Sequence, residues 1–519
     1  MKRLKCFLSL IFLWLPSVTL EKLNKNYAMS IFDLGELLTH SQVLVNQLEV
    51  YADKLQQRVD LVDSYIEIMK EKMAQAERMD SDPRLDPLSS FPFMRHMQSD
   101  WANILWHLEQ QPGEAQATAI SLLHSELPTA KDLRETIDGL FRIQLIYNLN
   151  GSDMARGILM GVQHNYSLTA FEVHTMAKYL VEAEEYIEAR DWISVALDLY
   201  QADEANWDLY ELQGLSSDSL FELHVEVLDN LSADKEMPLA LMMEAVKRHP
   251  ESHNLKRALT RLEMSVRIGE EPQGQEMEDV FSYFRCCSSE CRRGSRLYCL
   301  YNSKATAFLR LAPLKMELLS LDPYVVLYHD VLSDSEMLAL KTLAKGVLVR
   351  SVTYNVTKKE ISEDPHRTTK GIKLDRKIDL THSLVSKMEI LTEDMTSLDL
   401  DSSEPFQVIN YGIGGHYVQH ADYFTENGSD PHLPDRIVTV LFYLSDVPLG
   451  GATVFPLINL SVMPKKGSAL FWYNLNHRGH GMSSTYHSAC PVVIGSKWIM
   501  TKWINRLPQL FRRPCLREQ

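Results

Sequence analysis

The chain lacks an excess of basic residues. Its 519 residues include 53 lysines and arginines against 69 aspartates and glutamates, which gives a net charge of −16. Binding to nucleic acid relies on clustered lysine and arginine, and no basic patch is present, so we expect no nucleic-acid partner. The 45% hydrophobic and 24% charged residues are typical of a folded protein, and the length is sufficient for several domains.

Long apolar segments are also missing. Basic residues at 1–5 precede a short apolar run at 6–15, and polar residues follow from Glu21. This order is typical of a secretory signal peptide, so we predict removal of residues 1–20, no membrane span and a lumenal mature chain. An uncleaved anchor is the alternative, because residues 17–20 form an imperfect cleavage site.

Cysteine is scarce. The six cysteines beyond the signal segment are Cys286, Cys287, Cys291, Cys299, Cys490 and Cys515. An even number in an oxidising lumen favours disulfides, and the spacing of the first four fits no paired CxxC zinc pattern. Sequons for N-glycosylation, compatible with the same compartment, occur at Asn150, Asn165, Asn230, Asn355, Asn427 and Asn459. The C-terminal residues carry no retrieval signal of the Lys-Asp-Glu-Leu type, so residence in the endoplasmic reticulum would need a retained partner.

Two histidines, an aspartate and a lysine form the pattern that points to chemistry. His420 and Asp422 are separated by one residue, and His487 and Lys497 follow later in the chain. Residues i and i+2 of a strand point to the same face, so His420 and Asp422 can reach one metal while His487 arrives from a distant strand. Three ligands leave coordination positions open, as in non-heme iron(II) oxygenases, whereas structural zinc sites close with a fourth ligand. Catalytic zinc is a further alternative, but it gives Lys497 no evident role.

Short strand-like runs separated by glycine and proline surround this pattern. The runs cover 436–444, 452–455, 467–473 and 496–504. Such runs predict a sandwich or barrel. In the last run one face carries Lys497, Ile499, Thr501 and Trp503, and Lys502 falls on the other. If Lys497 points inward, we expect the rest of its face to point inward and Lys502 to point to solvent.

Three other histidines lie close to these residues in the sequence. His416 precedes His420, and His477 and His480 lie in a glycine-bearing segment. None of the three completes a metal-binding motif, so we predict loop positions or supporting positions around the site for them.

Several long motifs in this region resemble the catalytic domain of animal collagen prolyl 4-hydroxylase alpha subunits. They are Asn410-Tyr-Gly412, Leu441–Val447, Gly450–Pro456, Pro464–Gly467, Phe471–Asn474, His487–Pro491 and Phe511–Cys515. The resemblance implies a multidomain chain, first α and then β, that ends in a double-stranded β-helix (jelly-roll) oxygenase domain. The implied parts are a signal peptide at 1–20, a helical dimerisation region at 21–140, a tetratricopeptide-like (TPR-like) peptide-binding domain at 141–265, a cysteine-containing linker at 266–320 and the oxygenase domain at 321–519, with its core at 403–508.

The same resemblance implies the site residues. Iron(II) would be held by His420, Asp422 and His487, and Lys497 would pair with the distal carboxylate of 2-oxoglutarate, with Tyr411 adding a hydrogen bond. The implied reaction is hydroxylation of proline at C4 in X-Pro-Gly-type peptides, with release of succinate and CO2 and with L-ascorbate as the reductant.

Disulfides, partners and compartment are implied as well. The family pattern pairs Cys287 with Cys299 and Cys490 with Cys515, which leaves Cys286 and Cys291 as an extra pair or as free thiols. Protein disulfide isomerase would be the beta subunit of an alpha2beta2 assembly and would retain the chain in the endoplasmic reticulum lumen.

The N-terminal half reads as helical. Apolar residues recur at helical spacing over 31–75, which predicts a long helix that pairs either with a second copy or with this chain's own core. The segment 167–263 reads as helical hairpins whose concave surface suits an extended peptide. Three tyrosines are candidates for that surface, or alternatively for core and rim positions: Tyr179, Tyr186 and Tyr200.

Two features depart from the family pattern. Asn505 stands where the family carries a further histidine, which puts the use of 2-oxoglutarate in question. No tyrosine occurs between Tyr210 and Tyr283, so the second half of the peptide surface differs, and a less proline-rich peptide becomes plausible. A peptide-binding or assembly subunit with weak or no catalysis is therefore the alternative function.

Overall fold

The chain folds into two compact units, residues 32–130 and residues 1–31 together with 131–519, here called the helical unit and the main unit. The computed structural model describes residues 30–77, 87–124, 126–231, 236–248, 252, 255–260, 281–288, 291, 298–355, 360–363, 366–374, 383–424 and 435–512. The predicted signal peptide lies outside these residues. Within them, no helix combines the length and the hydropathy that crossing a bilayer requires.

The helical unit is dominated by one long helix. Its elements are α1 (Ile31–Glu77), α2 (Pro87–Arg95), a π-helical turn (His96–Asp100), α3 (Trp101–Glu109) and α4 (Glu114–His124). The long helix predicted from the apolar spacing over 31–75 is confirmed. Two residues of its apolar stripe, Leu48 and Leu55, are 58% and 40% exposed, so this unit leaves part of the stripe uncovered.

The main unit begins with helices that pack as antiparallel neighbours. The elements are α5 (Ala130–Ile146), α6 (Gly151–Ala155), the hairpin β1 (Ile158–Leu159) and β2 (Val162–Gln163), α7 (Ala170–Glu182), α8 (Tyr186–Ala202), a 3₁₀ turn (Glu204–Asn206), α9 (Trp207–Leu212), α10 (Ser217–Leu231), α11 (Glu236–Arg248) and α12 (Phe281–Cys287). Thr169 and Glu172 form a capping box that starts α7. Leu180 of α7 and Trp192 of α8 are fully buried, and Trp192 donates a hydrogen bond to Gln144 of α5 (2.8 Å).

The C-terminal part is rich in strands. They are β3 (Tyr298–Asn302), β4 (Leu314–Leu321), β5 (Tyr324–His329), β6 (Val349–Arg350), β7 (Val352–Asn355), β8 (Glu360–Glu363), β9 (Thr369–Lys373), β10 (Gln407–Tyr411), β11 (Tyr417–His420), β12 (Arg436–Tyr443), β13 (Leu449–Gly450), β14 (Thr453–Phe455), β15 (Leu460–Val462), β16 (Ala469–Tyr473), β17 (His487–Ala489), β18 (Val492–Ile494) and β19 (Trp498–Asn505). Helices α13 (Asp334–Ala344) and α14 (Ser383–Thr396) and 3₁₀ turns at Phe308–Arg310, Pro456–Ile458, Ser483–Thr485 and Leu507–Phe511 complete it.

Two antiparallel sheets carry the candidate site residues His420 and His487 and the strands around them. The nine-stranded sheet has the order β3-β4-β5-β16-β12-β19-β10-β9-β6, and the four-stranded sheet has the order β11-β17-β14-β15. All four strand runs predicted from the sequence form strands, because their β-branched and aromatic residues fill buried positions of these sheets. A helical part followed by a β-rich part is thus confirmed, while the TPR-like repeats and the jelly-roll remain predictions.

The expectation that Lys502 points to solvent is wrong. Its side chain is buried, with 2% exposure, rather than pointing to solvent. Helix α14 covers this face of the large sheet: Glu389 Oε1 lies 3.6 Å from Nζ of Lys502, and the ring centroid of Phe406 lies 4.6 Å from it. Strand alternation therefore predicted the face correctly but not the helix that covers it.

Both predicted disulfide pairings are wrong in this structure. Cys286 is bonded to Cys291, and Cys287 is bonded to Cys490 with a Cα–Cα distance of 5.6 Å. Helix α12 lies against β14, beside Cys490, so Cys287 is within bonding reach of that residue. Cys299 lies exposed on β3 and is bonded to no other described cysteine, and Cys515 lies outside the described residues.

Candidate metal centre

Two neighbouring strands of the small sheet bring the predicted histidines together. His420 ends β11 and His487 begins β17, and the two residues are register partners. Asp422 lies two residues beyond the end of β11, in the following irregular segment rather than on the strand. Its Oδ1 is 3.7 Å from Nε2 of His420, and its Oδ2 is 3.7 Å from Nε2 of His487. The three donor groups lie within 4.8 Å of one another, which suits a single ion about 2 Å from each.

Backbone carbonyls fix which ring nitrogen of each histidine faces the centre. Nδ1 of His420 donates to the carbonyl of Val418 (2.8 Å), and Nδ1 of His487 donates to the carbonyl of Thr485 (3.1 Å). A carbonyl oxygen can only accept, so the proton of each neutral ring lies on Nδ1 and the lone pair lies on Nε2. Both Nε2 atoms are therefore ready to bind a metal ion.

The large sheet holds the aspartate in place. Thr439 of β12 donates its hydroxyl hydrogen to Oδ2 of Asp422 (2.8 Å), and the side-chain amide of Asn474 donates to Oγ1 of Thr439 (2.9 Å). Thr439 and Asn474 are both fully buried. This chain of hydrogen bonds restricts the rotation of the carboxylate and leaves Oδ1 free of that contact.

Burial and neighbouring charges favour the metal-binding protonation states. Burial, with a further contribution from His487, lowers the pKa of His420 to about 3, and burial also lowers the pKa of His487. Burial works to raise the pKa of Asp422, but His487, His420 and Arg436 outweigh it and lower this pKa to about 2. At neutral pH the centre thus offers two neutral imidazoles and one carboxylate.

A small cavity adjoins the three donors. Ile499, Thr501 and Trp503 line one wall, as predicted for the inward face of β19, and Tyr411 and Trp472 also line it. Aromatic rings pack directly against the histidines: Tyr417 stacks on His420 with a centroid distance of 3.6 Å, and Trp472 meets the ring of His487 edge-on at 4.8 Å.

Lys497 lies immediately before β19 and is fully buried. Its Nζ is 4.8 Å from the ring centroid of Tyr411 and has no hydrogen-bond partner among the described residues. Burial lowers the pKa of Lys497 to about 7. Because an unpaired buried ammonium is costly, the position fits the carboxylate of a bound anion.

The other candidates lie outside the donor cluster. His416 is buried and exchanges hydrogen bonds with Thr368, while His477 and His480 are exposed. The side-chain amide of Asn505 donates to the carbonyl of Ser402. Asn505 therefore connects the end of β19 to the segment around Ser402, and it does not line the cavity beside the donors.

Sequence reasoning missed Thr439, Asn474 and Arg367. Arg367 is buried beside the cavity, with its guanidinium 4.9 Å from the ring centroid of Tyr417. The signal for Thr439 was present, because it is a lone hydroxyl within the apolar stretch 437–442, and a buried hydroxyl needs a partner. No comparable local signal exists for Arg367.

Comparison with known proteins identifies relatives of both halves. Residues 30–161 match the profile of the prolyl 4-hydroxylase alpha-subunit N-terminal region, and residues 406–505 match the 2OG-Fe(II) oxygenase superfamily. Human prolyl 4-hydroxylase subunit alpha-3 is 30% identical over 83% of this chain and 84% of its own length. Rat prolyl 4-hydroxylase subunit alpha-1 is 28% identical over 95% of this chain and 96% of its own.

A solved viral collagen prolyl hydroxylase from Paramecium Bursaria Chlorella virus-1, in a 2OG complex, aligns with 35% of this chain and 95% of its own at 23% identity and a TM-score of 0.28. The oxygenase profile and the assembled His-Asp-His set together confirm the prediction of a 2OG-Fe(II) oxygenase domain in this chain.

Proposed function

Because this chain belongs to the prolyl 4-hydroxylase alpha subunit family, we propose that it hydroxylates C4 of proline in X-Pro-Gly-type peptides. Dioxygen and 2-oxoglutarate would be the cosubstrates, and succinate and CO2 would be released. The observation that supports this most is the arrangement of His420, Asp422 and His487 beside a cavity, with the unpaired ammonium of Lys497 nearby.

Each residue of the centre has a separate task in this proposal. His420, Asp422 and His487 would hold iron(II), which together with 2-oxoglutarate supplies the oxidising power for inserting oxygen into a C–H bond. Lys497 would pair with the distal carboxylate of 2-oxoglutarate. Tyr411 lines the cavity and lies within cation–π distance of Lys497, so its hydroxyl could add a hydrogen bond there. L-ascorbate would be the reductant that restores iron(II).

Aromatic rings surround the place where the reaction would occur. Trp472 and Tyr417 pack against the ligand histidines, and the cavity is narrow. A cavity with this aromatic lining would strengthen the pairing of Lys497 with a carboxylate and limit side reactions. The prolyl ring would enter this cavity, because three protein ligands leave coordination positions of iron(II) free for the reaction.

A proline-rich or collagen-like peptide would be held by the helical hairpins of α7 to α11, which we assign to a TPR-like domain. Tyr179 and Tyr186 are half-buried, and the exposed part of each ring would contact a polyproline II helix. Tyr200 is 7% exposed and is stacked on Trp207 with a centroid distance of 5.6 Å, which favours a core role for it. The peptide surface would therefore depend on Tyr179 and Tyr186, and the oxygenase domain would have the jelly-roll topology.

Assembly and compartment follow the same family pattern. The exposed stripe of α1 supports self-association, and protein disulfide isomerase would be the beta subunit of an alpha2beta2 enzyme. The disulfides Cys286–Cys291 and Cys287–Cys490 support an oxidising lumen, which we take to be the endoplasmic reticulum.

Turnover tests the proposal directly. The full chain, co-expressed with protein disulfide isomerase, should form succinate and add one oxygen atom to prolyl residues of an X-Pro-Gly peptide. His487→Ala should abolish both products, whereas His480→Ala, which changes an exposed histidine of the same region, should leave them unchanged. Peptide binding without succinate in the intact protein would favour the alternative of a non-catalytic assembly subunit.

A further inference from the structure

Helix α5 contacts the chain next to both histidine-bearing strands, although it belongs to the region matched by the N-terminal profile. Nη1 of Arg142 donates to the carbonyl of Gly414, six residues before His420, at 2.8 Å. Tyr147, directly after α5, donates its hydroxyl hydrogen to the carbonyl of Pro491, four residues after His487, at 2.7 Å. One helix and the residue that follows it therefore bind the two segments that flank β11 and β17, at the end of the strand pair farther from His420 and His487.

The contact at Gly414 is a direct approach of two backbones. A Cβ atom added to Gly139 of α5 would collide with the carbonyl of Ile413, and one added to Gly414 would collide with the carbonyl of Gly139. Gly414 also has a φ of +55°, which favours glycine. Side chains at these two positions would push the helix away from the loop that leads to β11.

The contact at Pro491 is buried and joined to the first. Tyr147 is 8% exposed, and Gly451 donates its backbone N–H to the same Pro491 carbonyl at 2.9 Å. The next residue, Val492, donates its N–H to the carbonyl of Gly415 at 3.3 Å. The two segments thus bond to each other as well as to the helix.

Further anchors fix α5 and its neighbours on the oxygenase domain. Glu135 of α5 forms an ion pair with Arg350, and both side chains are largely buried. The disulfide between Cys287 and Cys490 ties α12 to the residue before Pro491. Burial lowers the pKa of Arg142, but its guanidinium stays charged at neutral pH, so its bond to Gly414 is charge-assisted.

We propose that Arg142 and Tyr147 are positioning residues for the iron centre. Their contacts lie at the end of the β11–β17 pair opposite the ligands, so they hold the two strands in the register that brings His420 and His487 together, and they do so from outside the oxygenase domain. The strands β11 and β17 are short and paired through a register shift, so their own ladder is a weak constraint. This inference rests on the proposed function, because it presumes that His420 and His487 bind iron.

The test compares conservative and disruptive variants in the full chain with its partner subunit. Arg142→Met removes the donor, Arg142→Lys keeps one, and Tyr147→Phe removes a single hydroxyl group. Arg134→Met is the control for the arginine, because Arg134 lies on the same helix with a 64% exposed side chain. Tyr166→Phe is the control for the tyrosine, because Tyr166 is 67% exposed.

Two measurements are needed. Anaerobic titration with iron(II) and 2-oxoglutarate, followed through the charge-transfer absorption, gives the iron affinity. Amide hydrogen exchange of segments 412–420 and 486–492 in the metal-free protein reports the order of the two strand ends. We expect Arg142→Met to weaken iron binding by about 10-fold and to speed exchange in both segments. Arg142→Lys should recover most of the affinity, and both controls should match the wild type.

Folded Arg142→Met protein with wild-type iron affinity and exchange would overturn the inference. Should Arg142→Met fail to fold, Tyr147→Phe decides, since faster exchange of segment 486–492 supports the inference and unchanged exchange refutes it. Wild-type protein that binds no iron would instead defeat the proposed function. The exchange measurement, made without metal, would still test the positioning role.

Discussion

Replacing Lys497 by methionine should separate stability from cosubstrate binding. Burial lowers the pKa of Lys497 from 10.5 in the unfolded chain to about 7 in the fold. At about 1.4 kcal/mol per pKa unit, the charged lysine costs the fold about 5 kcal/mol below pH 7. Between pH 7 and 10.5 the unfolded chain binds more protons than the fold, so stability rises with pH in this interval and the cost disappears.

The metal-free, cosubstrate-free Lys497→Met variant should therefore be more stable than the wild type at pH 6. We expect its free energy of unfolding to exceed that of the wild type by up to about 5 kcal/mol at pH 6, with little difference near pH 10. Its affinity for 2-oxoglutarate should fall by at least about 30-fold, because the distal carboxylate loses its cation. Denaturant unfolding at pH 6, 8 and 10 and anaerobic 2-oxoglutarate titration measure the two effects.

Lys502→Met is a matched control five residues later, within β19, on the face covered by α14. It removes the cation near Glu389 and should leave 2-oxoglutarate affinity unchanged. Equal stability of Lys497→Met and wild type at every pH, together with unchanged 2-oxoglutarate affinity, would refute the reasoning that an unpaired ammonium awaits an anion at this position.

Other substitutions test the rest of the structure. Thr439→Val removes the hydrogen bond to Asp422 and should weaken iron(II) binding by about 10-fold in an anaerobic titration. Thr392→Val is the control: it changes a buried threonine of α14 and should leave iron(II) affinity unchanged. Equal affinities of the wild type and both variants would argue against orientation of the carboxylate by Thr439. Cys287→Ser opens a crosslink that spans 203 positions and should lower the free energy of unfolding by about 5 kcal/mol in the chain-entropy account. Cys299→Ser should change nothing, and peptide mapping that finds Cys287 bonded to Cys299 would contradict this pairing.

The metal set was predictable from sequence because its signal is local. His420 and Asp422 lie close together in the chain, and His487 begins a motif, His487–Pro491, that resembles one family. Strand alternation also gave the inward direction of Ile499, Thr501 and Trp503, because the period of a strand is fixed by its geometry. The capping boxes of α7 and α13 are local in the same way.

The remaining features depend on which distant segments meet. Lys502 is buried because α14, more than a hundred positions earlier, covers its face, and no pattern around Lys502 indicates that cover. Cys287 pairs with Cys490 because α12 lies against β14, although Cys299 is nearer in sequence. The approach of Gly139 to Gly414 likewise has no signature in either segment, since an isolated glycine has many uses.

The two sheets contribute different parts of the metal centre, and this has a practical consequence. The histidines come from the small sheet, while the hydroxyl group that holds Asp422 comes from the large one. A bound ion would crosslink the two sheets, because its ligands are held by both of them. Metal loading would then register as a higher melting temperature. Chelators carried through purification would therefore weaken the association of the two sheets as well as prevent the proposed turnover.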